Sequence, residues 1–198
     1  MKHSLTSYIN PFLIIAAIIM VICYLVDKPN SITDWLGHIG TTAFVMSVIS
    51  GVYIKWLWYY NPWENIPRFA KKYRGKIHYI YNGCAGEKET EVFISQTLFS
   101  IRIKLKTNEI KSDAITSNLI EENDSWFLYY TYIKEPKAEY VAINPIQRGT
   151  ARLEIKKPEY NLKSFFSKHK KTIDYLDGTY WTSVGTTGDM ELFKERES

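Results

Sequence analysis

Cysteine and histidine are scarce in this chain: two cysteines and four histidines in 198 residues. Cys23 sits inside an apolar run and Cys84 in a glycine-flanked turn, so there is neither a framework of bridges nor a zinc-type spacing, and a reducing compartment suits both. His3, His38, His78 and His169 are scattered without ligand spacing, so no metal is expected. Catalytic signatures are missing as well: no Gly-x-Ser-x-Gly, no His-Glu-x-x-His, no glycine-rich phosphate loop. Glu121, Glu122 and Asp124 form an acidic, turn-like run of the kind that stays solvated. No catalytic residue and no cofactor is therefore expected. No block of lysine and arginine resembles a duplex-reading helix, and a net charge of +4 is too small to favour DNA or long RNA as a partner.

What the chain does have is a strong asymmetry. From Tyr8 to Val26 the only ionisable groups are phenols and one thiol. About nineteen residues at about 1.5 Å each match a hydrocarbon core of about 30 Å. Asp27-Lys28-Pro29 offers no small-residue cleavage pattern and a second apolar run follows at once, which argues for a retained helix over a signal peptide. That second run, from about Trp35 to Tyr60, ends in the aromatic cluster Trp56, Trp58, Tyr59, Tyr60 and Trp63, with Lys55 placed to reach the headgroups. Residues 1–60 thus read as two transmembrane helices, 8–26 and 35–60, and 61–75 as a basic juxtamembrane linker.

Lys55, Arg68, Lys71, Lys72, Arg74 and Lys76 follow the second span, whereas the loop between the spans carries only Lys28. This bias places both termini in the cytoplasm, and the same basic segment can lie on anionic membrane lipid. Ala43, Ser47 and Gly51 recur every four residues, a spacing that lets helices approach closely. The face they form can pair helices of different chains or pack Ala16 and Ala17 of the first span.

Beyond the linker the apolar period changes to two. Ile77, Tyr79 and Tyr81 alternate with polar neighbours, as do Phe99, Ile101, Ile103 and Leu105 with Ser100, Arg102, Lys104 and Lys106. Further strands are expected over 89–97, 111–122, 125–133, 150–156, 173–181 and 189–193, separated by turn signals such as Asn82-Gly83 and Gly185 to Gly188. Residues 159–170 read as a short helix or a long loop. About eight half-buried strands are best closed on themselves, so the expected fold over 76–198 is an eight-stranded up-and-down antiparallel β-barrel behind a membrane anchor. Phe99, Ile101, Ile103, Leu153 and Met190 are expected to fill its interior.

The strands combine aromatic rings with cations: Trp126, Phe127, Tyr129, Tyr130 and Tyr132 on one, Arg102 and Lys104 on another, Tyr180 and Trp181 on a third. Rings stack bases and cations hold phosphates, so this composition fits a small nucleotide ligand. Core packing is the competing role of the same rings. Arg152, near Gly149-Thr150, is a further candidate cation.

The order of features, with Ser95-Gln96-Thr97 before Phe99-Ser100-Ile101, Tyr130-Thr131-Tyr132 with Glu135-Pro136, Arg148-Gly149-Thr150, and Leu176-Asp177-Gly178-Thr179-Tyr180 with Thr187-Gly188, resembles the CD-NTase-associated membrane effectors of bacterial antiphage signalling (CBASS). The resemblance implies a receptor for a cyclic dinucleotide made by a partner CD-NTase. It also implies ligand-induced homo-oligomerisation in the bacterial inner membrane and loss of membrane integrity. Tyr130, Tyr132, Thr150, Gly178, Tyr180 and Thr182 fall in the matching segments. The alternative is a membrane-tethered, lipocalin-like carrier of an apolar ligand, or a scaffold for a protein partner.

Overall fold

The computed structural model describes residues 6–61, 64, 66–123, 125–142, 144–155 and 172–195, with side chains from residue 12 onward. Trp63, Asp124, His3, His169 and the expected helix or loop over 159–170 lie outside the described residues. The chain divides into two compact units, Met1–Trp58 and Tyr59–Ser198.

The first unit is a helical hairpin. Helix α1 (Thr6–Val26) and helix α2 (Ile32–Lys55) run antiparallel: Phe12, early in α1, meets Tyr53, late in α2, with ring centroids 6.1 Å apart, and Tyr24 stacks on Trp35 at 6.2 Å. Ser31 caps α2 reciprocally with Asp34: the Asp34 amide donates to Ser31 Oγ, and the Ser31 amide donates to the Asp34 carboxylate. His38 Nε2 lies 2.8 Å from the Asp27 carbonyl and ties the turn to the helix. By length and composition α2 can cross a membrane, while the apolar stretch described for α1, Phe12–Val26, is shorter. α2 ends five residues before the expected limit, because Trp56 leaves the helical region and Leu57–Tyr60 tighten into a 3-10 turn.

The second unit is a closed antiparallel barrel of β1 (Lys72–Tyr81), β2 (Cys84–Gln96), β3 (Ile101–Lys106), β4 (Ile110–Glu122), β5 (Ser125–Pro136), β6 (Gln147–Ile155), β7 (Tyr175–Thr182) and β8 (Thr187–Lys194). Each strand pairs with its sequence neighbours, and β1 pairs with β8 to complete the ring. The expected fold class is the observed one. Asn82 and Gly83, both at positive φ, make the two-residue turn that matches the twist of β1 and β2. A register shift between Ala114 and Thr116 marks a bulge in β4.

Several glycines sit where strands come closest. A Cβ on Gly178 would lie 2.0 Å from the Arg152 carbonyl oxygen and 2.7 Å from Leu153 Cα; one on Gly188 would lie 2.0 Å from the His78 carbonyl oxygen. These positions admit no side chain while the strands stay paired.

The segment expected to be a linker is part of the barrel unit. Ile66, Arg68, Phe69 and Ala70 are buried, and β1 begins at Lys72, four residues before the expected boundary. The apolar residues of this segment, hidden among its basic ones, supply the reason: they close one end of the barrel as a floor. Tyr73 accepts from the Ala70 amide and donates to the Ile173 carbonyl, while Gln96 accepts from the Phe69 amide and donates to the Pro67 carbonyl. Burial pushes the Tyr73 phenol well above the usual tyrosine range, so it stays a neutral hydrogen-bonding group. Above this floor Val92, Leu128, Leu153, Leu176 and Leu192 are completely buried and form the core of the barrel. Ile103 and Met190 join this core, whereas Phe99 lies in the β2–β3 turn, 59% exposed, because β3 begins only at Ile101.

Candidate functional site in the mouth of the barrel

The packing does not reach the other end. Where β1–β2, β3–β4, β5–β6 and β7–β8 connect, the interior opens into a cavity of about 290 Å³. Its volume lies at the small end of the range for ligand pockets. Apolar walls come from Ile77, Leu105 and Met190, and rings from Tyr79, Tyr130, Tyr132 and Tyr180. Polar groups converge at the rim: Lys88, Glu109, Lys134, Asn144, Gln147 and Thr182.

Strand alternation explains this set. On β5 the inward phase runs Trp126, Leu128, Tyr130, Tyr132 and then Lys134. On β2 it runs Ile94, Val92, Thr90 and then Lys88. Both phases are apolar towards the floor and cationic at the mouth. Lys88 pairs with Glu109 at 2.5 Å and lies 5.3 Å from the centre of the Tyr79 ring. Lys134 donates to Asn144 Oδ1 at 2.6 Å, and among the described residues no carboxylate pairs with it. Burial, reinforced by the charge of Lys88, pulls the Lys134 ammonium down to about 8. Two ammonium groups and one carboxylate leave the rim net positive at neutral pH. Tyr130 and Tyr132 stand 5.8 Å apart at 44°, and burial keeps both phenols neutral, pushed well above their usual range. Tyr180 is raised to about 12 for the same reason. The mouth therefore offers flat aromatic surface, hydroxyl donors and a positive rim: the complement of a planar, anionic ligand.

Of the residues singled out from the sequence, Tyr130, Tyr132, Tyr180 and Thr182 meet at this cavity. Trp126 also points inward but is buried at the floor end, opposite Ile155. Arg102 and Lys104 project from the outer surface, because Ile103 and Leu105 hold the inward phase of β3; Lys104 pairs there with Asp113 at 3.2 Å. Thr150 and Arg152 are also on the outside. Thr150 faces Thr131 across the β5–β6 ladder, and Arg152 lies 3.9 Å above the Phe127 ring while donating to the Tyr129 hydroxyl at 3.0 Å. The cavity thus takes its cations from Lys88 and Lys134, which sequence reading passed over. Their signal was a lysine on the apolar phase of a strand. Among the described residues no three His, Cys, Asp or Glu side chains gather as a metal site.

The basic residues beyond α2 are largely compensated. Lys72 and Arg74 contact both Glu91 and Glu195, and Lys76 contacts Glu87 at 2.6 Å. Arg68 is buried, donates to the Asn61 carbonyl and stacks 5.0 Å from the Tyr59 ring centre.

Two comparisons with known proteins agree with this geometry. Residues 64–194 match the family model described as Cap15, cyclic dinucleotide receptor domain, whose limits coincide with the barrel and its floor segment. The CD-NTase-associated protein 15 of Staphylococcus schleiferi is 36% identical over 166 residues, covering 81% of this chain and 80% of that protein. A closed eight-stranded barrel with an aromatic, cationic mouth, matched from floor to last strand, makes this chain a member of the Cap15 cyclic dinucleotide receptor family.

Proposed function

We propose that the barrel receives a cyclic dinucleotide made by a CD-NTase, and that this ligand engages the mouth rather than the outer wall. The observation that carries the reading is the pairing of Lys88 and Lys134 at the rim with Tyr130, Tyr132 and Tyr180 below it. Phosphates meet the ammonium groups and a base lies against the rings, each contact charge-assisted or stacked. Arg102, Lys104, Trp126, Thr150 and Arg152 then shape or solubilise the barrel without touching ligand.

In this reading α1 and α2 cross the inner membrane as a hairpin with both termini in the cytoplasm, and the protein acts as a CBASS effector. Ala43, Ser47 and Gly51 are exposed on α2, and a Cβ at Gly51 would meet nothing within 4 Å, so this small-residue face is open to a helix of another chain. Ligand binding favours the assembled state, the clustered helices perturb the bilayer, and infection is aborted.

The test is titration of the full chain in lipid nanodiscs with a panel of purine and pyrimidine cyclic dinucleotides. Selective saturable binding supports the receptor reading; no binding by a folded barrel overturns it. The apolar cavity walls favour one rival, a carrier of a small apolar molecule. Saturable uptake of a fatty acid or similar probe, with every dinucleotide ignored, would establish that rival instead.

A further inference from the structure

We infer that Gln147 is the residue that reads the base of the bound nucleotide. The inference rests on the receptor reading above and specifies how that site selects its ligand. Gln147 opens β6 on its inward phase, ahead of Gly149, Ala151, Leu153 and Ile155. It is only 7% exposed, lines the cavity, and its side-chain oxygen has no hydrogen-bond partner among the described residues. Buried amide oxygens are almost always satisfied, and an orphan destabilises the fold that holds it. A barrel packed this fully elsewhere has room for an apolar residue at the same position, so a vacant acceptor facing a cavity points to a donor that arrives from outside.

The surroundings say what kind of donor. Two residues further along the same phase, Gly149 has no side chain because the Tyr132 ring occupies that space: a Cβ there would lie 2.4 Å from the ring carbon and hydroxyl. The β6 backbone and the Tyr132 ring thus lie against each other beside the amide. A planar heterocycle stacked in the tyrosine cluster would present its edge to Gln147. A glutamine amide accepts and donates side by side, which matches a base edge carrying an N–H next to an acceptor, as adenine does with its exocyclic amine and ring nitrogen. Lys134 and Lys88, at the rim, serve the phosphates that every cyclic dinucleotide shares. Gln147 therefore sets which ligand is preferred, and the lysines set how tightly all of them bind.

The experiment is the same panel of cyclic dinucleotides titrated against the full chain in nanodiscs, as wild type, Gln147→Met and Lys134→Met, with thermal melting of each. The expected result for Gln147→Met is a loss of about 10-fold or more for the preferred ligand, a flattened or reordered panel, and melting at or above the wild-type temperature. Lys134→Met is expected to weaken the whole panel without changing its order. A Gln147→Met protein that keeps the wild-type affinities and order overturns the assignment, as does one that weakens every ligand equally or melts lower. Failure of the wild type to bind any member overturns the receptor reading itself.

Discussion

Lys134 combines a half-buried charge with a place at the rim of the cavity. Its folded-state pKa, about 8, lies below the ordinary value of 10.5, so the folded barrel disfavours the ammonium relative to the unfolded chain. The unfolded state then binds more protons between these values, and stability rises with pH through that interval. The buried phenols of Tyr73, Tyr130 and Tyr132 act the other way above pH 10, their ordinary ionisation point, because only the unfolded chain ionises them there. Chemical unfolding across pH 7 to 11 should therefore show a stability maximum between 8 and 10, and Lys134→Met should remove the rising limb. Ligand affinity should fall over the same rising limb, since the phosphates need the charged form. Outside the mouth, Arg102→Ala with Lys104→Ala should leave dinucleotide affinity within about twofold, because a rim-distant, solvent-screened charge contributes little. Isothermal titration of that double variant checks the distinction between the two sets of cations.

The strands carry the part of the fold most legible in the sequence. Alternation and turn signals together located about eight strands, and Asn82-Gly83 marked its hairpin, because these signals are local. The same alternation that reveals β3 also sends Arg102 and Lys104 outward, so their placement could have been read from Ile103 and Leu105 alone. What hid Lys88 and Lys134 was composition: a charged residue breaks an apolar pattern and reads as the strand's end rather than as its inward-facing tip. The floor segment was hidden for a different reason. Phe69 and Arg68 find hydrogen-bond partners for their backbone in Gln96 and Ile173, far along the chain, and no local period records such pairings. Strand contact also yields a prediction. Gly178→Ala forces β7 away from β6 and should cost about 1–3 kcal/mol of stability in urea unfolding. Gly51→Ala, with open space around it, should leave the hairpin intact and slightly favour the helix.

At the scale of the whole chain, the proposed function requires that occupancy of the barrel be felt by the helical hairpin. The proposed link is association rather than a change of shape within one chain, since the close-packed core beneath the cavity has few alternative arrangements. Disulfide or chemical crosslinking in membranes should give larger species when the preferred dinucleotide is added. Gly51→Leu, which fills the open small-residue face of α2, should reduce those species by severalfold while the barrel still binds the dinucleotide, with an affinity lowered only by the lost coupling to assembly. Loss of binding alongside loss of crosslinks would mean that the substitution damages folding rather than assembly.

The chain enters β1 at the floor and leaves β8 beside it, with the Glu195 amide donating to the Lys72 carbonyl, so every connection at the opposite end is a hairpin turn or a loop. Turns are the parts of a protein that tolerate replacement most readily. Gln147, the residue proposed to set ligand preference, opens β6 at that tolerant rim, with Asn144 just before it and Lys134 near the end of β5, while the floor holds the fold together. Under the receptor reading, a new ligand preference therefore needs only a few substitutions at the rim, while the barrel beneath it stays as it is.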